Sequence, residues 1–241
     1  MLNYAASRRV FQPGDTLQFD PAYRLAHLPL LAPDHPASIR AAPGQDYRDG
    51  TYVKPRHSLV MPLRAQDLTG APNFQAMERD LRATSFAPKI AWRLGEQRAD
   101  KLHATVVNGL SEADIAPCAA AVARALARLG PLSFRLGGPL AGNKNLGRLY
   151  FPVYPQTVDG EDAFGLIQDV IGRPRTRFYV VGYYNLVDEL DATETAELAR
   201  WLDSWGPATV LETKLSALII QATNDDLALS GRPVTVIEAR W

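Results

Sequence analysis

Histidine and cysteine are scarce in this chain: the only histidines are His27, His35, His57 and His103, and the only cysteine is Cys118. One cysteine excludes a disulfide framework, and without further Cys or clustered carboxylates no zinc module can be assembled. Excess charge is also absent. Twenty-six basic side chains balance 26 acidic ones, so no global field draws in long nucleic acid, and extended DNA binding is not expected. No apolar run approaches the roughly 20 residues of a membrane span, and residues 1–9 lack the apolar core of a secretory leader. These absences lead to the expectation of a cytoplasmic protein with no membrane partner, no metal and no organic cofactor.

What is present divides into an arm and a body. Residues 1–50 carry Pro13, Pro21, Pro29, Pro33, Pro36 and Pro43, which break any long period and predict an irregular arm. Its Phe11, Phe19, Tyr23 and leucines predict that it packs on the body. Residues 51–241 read as regular. Strands are expected over 58–63, 89–94, 101–107, 132–136, 148–153, 177–184, 209–220 and 233–238. Helices are expected over 74–84, 111–129, 164–171 and 193–205, with Phe74, Met77 and Leu81 on one face of the first. Ser111 with Asp114 has the form of a capping box, and Gly130-Pro131 stops that helix. The pattern predicts an α+β fold in which strand, helix and strand pair occur in each half.

The most informative stretch is Lys101-Leu102-His103-Ala104-Thr105-Val106-Val107. In a strand His103 and Thr105 share a face while Leu102, Ala104 and Val106 take the other. An imidazole exchanges a proton near neutral pH, and a hydroxyl two residues on can bond a phosphate oxygen.

On those residues the chain resembles the two-histidine (2H) phosphoesterase superfamily, the LigT-like proteins, whose hallmark is two His-x-Thr/Ser strands related by a pseudo-two-fold. The segment Gly50-Thr51-Tyr52-Val53-Lys54-Pro55 and the pair Gly182-Tyr183 are similar to features of a bacterial and fungal branch of 2H phosphodiesterase-like proteins. The likeness spans about residues 45 to 225. It implies a bilobal fold: two pseudo-symmetric lobes of antiparallel sheet with flanking helices around a central cleft. It also implies metal-independent phosphodiester chemistry, with His103 as acid or base and Thr105 on a nonbridging oxygen.

The second motif departs from the family. In the preferred register Phe178 stands at the histidine position and Val180 at the hydroxyl position; in an alternative register, Lys214 to Ile220, Ser216 and Leu218 stand there. Both lack the second histidine. Further candidates for holding a small nucleotide or RNA-end-like ligand come from the residues themselves. Lys144 lies in the Gly- and Asn-rich turn 137–147, and Arg177 follows Arg173 and Arg175 in alternation. Tyr179 and Tyr183 offer rings for base stacking, and His57 is a possible replacement acid or base. The expectation is a 2H-like protein with weak, altered or absent hydrolysis, or a noncatalytic phosphate-ligand binder on the same fold.

Overall fold

The computed structural model describes residues 2–239. Eight strands form one path: β1 (Thr51–Pro62), β2 (His103–Leu110), β3 (Ser133–Gly137), β4 (Arg148–Pro155), β5 (Val180–Asn185), β6 (Thr209–Lys214), β7 (Ala217–Asp225) and β8 (Arg232–Glu238). Their order across the sheet is β6-β3-β4-β5-β2-β1-β7-β8, and every neighbouring pair is antiparallel. Two-residue strands at Tyr47–Arg48 and Leu140–Ala141 add to β1 and β4. The expected α+β class is therefore met by a large antiparallel sheet with helices.

Four longer helices follow the strands: α1 (Pro72–Arg82), α2 (Glu112–Leu129), α3 (Ala163–Val170) and α4 (Ala192–Trp205). The Ser111–Asp114 capping box opens α2 and an Asp191–Glu194 box opens α4, each satisfying amide donors that helix geometry leaves free. Phe74, Met77 and Leu81 of α1 are buried, at about 1.5–3 kcal/mol each. Phe74 meets Phe151 and Tyr183 edge-on, and Trp201 of α4 donates to the Met77 carbonyl. On the sheet, Met61, Ala104, Val181 and Phe151 are cross-strand partners in one row, all buried. That row is the helix-covered face.

Pairing between the two four-stranded halves is thin: Ala104 with Val181 is the one partner pair joining β2 to β5. By alternation His103 and Thr105, and Val180 and Gly182, turn to the opposite face.

Several expectations need correcting. Residues 89–94 are not a strand. A 3-10 turn, Ala87–Lys89, leads through an extended Ile90, bridged to Leu186, into a helix, Trp92–Gln97, whose Leu94 is buried along with Ile90. Strand β5 begins at Val180, so 173–179 is extended chain outside the ladder. The arm holds helices Pro21–Ala26 and Leu28–Leu31, with Pro21 and Pro29 in the first turn, where the missing N–H costs nothing. The arm does pack: Leu17, Phe19, Tyr23 and Leu28 are in the core, and the Tyr23 hydroxyl donates to the Leu186 carbonyl. No described helix is long and apolar enough to cross a membrane.

Candidate functional site

His103 sits at the start of β2, where the Lys101 carbonyl accepts from its Nδ1 at 2.8 Å. That bond fixes the tautomer and leaves Nε2 as acceptor. Gln221 fills it: the side-chain amide of this β7 residue, reaching across β1, stands 3.0 Å from Nε2. Burial pushes the imidazole pKa down to about 4, and the guanidinium groups of Arg148 and Arg98 push the same way against the Lys101 bond. His103 is therefore neutral at neutral pH, with its lone pair engaged.

The two arginines are the least expected feature of this face. Arg148, at the start of β4, lies flat on Gly182 of β5: a Cβ at that glycine would fall 2.0 Å from Arg148 Nε. A side chain at 182 would displace the guanidinium, which occupies that volume. One Arg148 nitrogen donates to the Asp226 carbonyl at 3.0 Å and meets His27 Nε2 at 3.2 Å. Arg98, at the C-terminal end of the helix Trp92–Gln97, is 2% exposed and donates to the Tyr183 carbonyl. Burial lowers its pKa to about 9, and Arg148 adds to the effect. His27, stacked on Tyr23 at 5.0 Å, is held well below the ordinary histidine range by burial and then by the same arginines.

Among the described residues neither arginine has a carboxylate partner within ion-pair distance. The Asp226 carboxylate instead accepts from Tyr47 and Tyr52. Arg98 Nε, Arg148 Nε and His27 Nδ1 are buried without hydrogen-bond partners. Buried positive charge is ordinarily paired; the negative group acting on Arg98 is the buried Asp225 carboxylate, which lies beyond ion-pair distance.

Two cavities open on this face. One, about 500 Å³, is lined by Thr105, Asn108, Arg173, Thr176, Phe178 and Val180. The other, about 490 Å³, includes Tyr4, Asn143, Lys144 and Tyr150, with Phe178 and Val180 again in its wall. Phe178, 38% exposed, and Val180 thus separate two compartments. His103 lines neither.

The expected site residues divide accordingly. Thr105 and Lys144 line cavities on this face, one in each. Tyr179 does not: it is in the core, its hydroxyl donating to Gln168 Oε1 at 3.0 Å and its ring edge-on to Phe164. Tyr183 packs on Phe74 and Phe151 under the helices. A register shift between Leu149 and Tyr150 makes Tyr183 a bulge residue, which turns Tyr184 inward as well. Arg177 is exposed outside both cavities, its carbonyl accepting from the Asn3 amide. Arg173 and Arg175 are taken up by Asp114 and by Asp169 with Glu161, because this segment is not a strand and its arginines do not alternate along one face. His57 pairs with Leu110 at the far end of β2, on the order of 15–20 Å along the strand from His103.

The strand facing β2 is β5, whose regular part sets Val180 and Gly182 opposite Thr105 and His103, with Phe178 just before it. Residues 214–220 do not face β2, since β7 lies beyond β1. Arg98, Arg148, Gln221 and His27 were not legible as site residues. The nearest signal is Gly182, a glycine inside an apolar strand, which marks close approach by another group.

Searches against protein-family models and curated proteins find no match for this chain. Among the described residues no group of three or more His, Cys, Asp or Glu side chains is arranged to hold a metal ion.

Proposed function

We propose that this protein is a divergent 2H phosphoesterase-like protein that binds a small phosphate-bearing ligand, nucleotide or RNA-end-like, and turns it over slowly or not at all. The reading of its fold as two lobes is supported by chain order. The run β1-α1-β2-α2-β3 is matched by β4-α3-β5-α4-β7 with β6, which falls between α4 and β7, added at the other edge, and the last strand of each run pairs with the first strand of the other half. The central strands of the two runs, β2 and β5, lie side by side, as the two motif strands of such a fold would.

The observation that carries the functional reading is buried Arg98 together with half-buried Arg148, whose Nε is enclosed, on the His103 side of the sheet with no carboxylate within ion-pair distance among the described residues. A phosphate supplies what they lack, and guanidinium groups suit its oxygens. Thr105, two residues along the same face, offers a hydroxyl donor. Efficient two-histidine hydrolysis is disfavoured for two reasons. Val180 and Gly182 transfer no proton, and a positioned acid or base is typically worth about 10²–10⁴ in rate. His103 also spends its Nε2 lone pair on Gln221.

The test is turnover of 2′,3′-cyclic nucleotides. Very slow or undetectable hydrolysis is expected, and any residual activity is abolished by His103→Ala. Rapid hydrolysis by the unmodified protein, unchanged in His103→Ala, would place the chemistry elsewhere.

A further inference from the structure

Strand β8 ends the sheet on the side away from β6, and no described strand pairs with its outer edge. The outward-pointing N–H and C=O groups of this seven-residue strand form a template for another strand. Its side chains sharpen the point: Val234 and Val236 are 44% and 54% exposed, and the strand holds no lysine. Pro233 and a register shift against β7 near Val234 blunt its first half, while Thr235 to Glu238 stays regular.

We infer that β8 pairs antiparallel with β8 of a second copy of this chain, about a two-fold axis through Thr235. Pairing there straightens the bulge at Val234, and in that form the sequence Arg232-Pro233-Val234-Thr235-Val236-Ile237-Glu238 is self-complementary in this register. Thr235 faces its own copy, Val234 faces Val236, and Arg232 at one end faces Glu238 at the other. Each dimer then contains two Val–Val contacts and two Arg–Glu contacts. Centring on Val234 instead sets Arg232 opposite Val236 and Glu238 opposite Ser230, and centring on Val236 sets Glu238 opposite Val234 and Arg232 opposite another arginine in sequence, so charge selects the register.

A second observation lies beside the strand. A cavity of about 700 Å³ runs between β8 and Ala119, Ala123 and Ala127 of α2, remote from the His103 face. The two-fold brings the two α2 helices to the same side of the joined sheet. Their alanines, at i, i+4 and i+8, permit close approach. The other free edge, β6, carries Glu212 and Lys214 and no exposed large apolar side chain. Pairing β8 with β6 of another copy would also be head-to-tail and would not close.

The test is sedimentation equilibrium on the full chain over a dilution series. A closed dimer is expected for the unmodified protein, and Val236→Lys yields monomer with unchanged circular dichroism. Arg232→Glu and Glu238→Arg each set like charges opposite one another and weaken the dimer by about tenfold or more. Combining the two exchanges the charges and restores association. A monomer at every concentration, a dimer indifferent to both charge reversals, single reversals without rescue in the double variant, or concentration-dependent growth beyond dimer would each overturn the inference.

Discussion

At residue scale the site turns on which groups may carry charge. The His103 pKa is pushed down to about 4 from an ordinary value near 6.5, so the unfolded chain binds a proton in that interval while the folded chain does not. Its contribution to stability is complete above pH ~6.5 and is lost as pH falls toward 4. His27, lowered by burial and then by the same arginines, acts with the same sign. The expected outcome is a melting temperature that declines through this window, with a shallower decline in His103→Gln. A slope identical in the two proteins would remove His103 from the balance. Gly182 gives a second test at this scale: Gly182→Ala collides with the Arg148 guanidinium, and overpacking of this kind costs about 1–3 kcal/mol. Chemical denaturation measures it, and Gly182→Ala in an Arg148→Ala background should recover part of the loss.

At the scale of elements, the parts legible in the sequence are those with strong local signals. The α2 and α4 termini, the apolar stripe of α1 and the alternation of β2 are written in adjacent residues and survive in the structure. Ser111→Ala should cost about 1 kcal/mol through loss of its cap, measurable by denaturant unfolding; no loss would mean that packing alone holds the end of α2. Other features depend on residues far apart in sequence. Ile90 and Leu94 fit an alternating pattern as well as a helical one, and only the contacts around them decide. The bulge at Tyr183 turns the Tyr184 ring onto the helix-covered face, and nothing in Phe178 to Tyr184 announces it. Gln221 reaches His103 across an intervening strand, over a separation of 118 residues, so its role could not be read from either motif.

At the scale of the whole molecule, the arm and the sheet together make the cationic cluster. His27 comes from the arm, Arg98 and His103 from the first half, Arg148 from the second, and the Asp226 carbonyl from the turn between β7 and β8. Of these groups Arg98 and Arg148 carry the charge, and the anion proposed to meet them is a phosphate. The most direct measurement is calorimetric titration of the full chain with a nucleoside monophosphate and with inorganic phosphate, comparing the unmodified protein with Arg148→Met. Charge-assisted hydrogen bonds of about 1.5–3 kcal/mol correspond to roughly a ten- to hundredfold change in affinity. Saturable binding weakened by that factor in a folded Arg148→Met protein is the predicted result. Absence of binding, or binding of equal strength in the variant, would contradict the account.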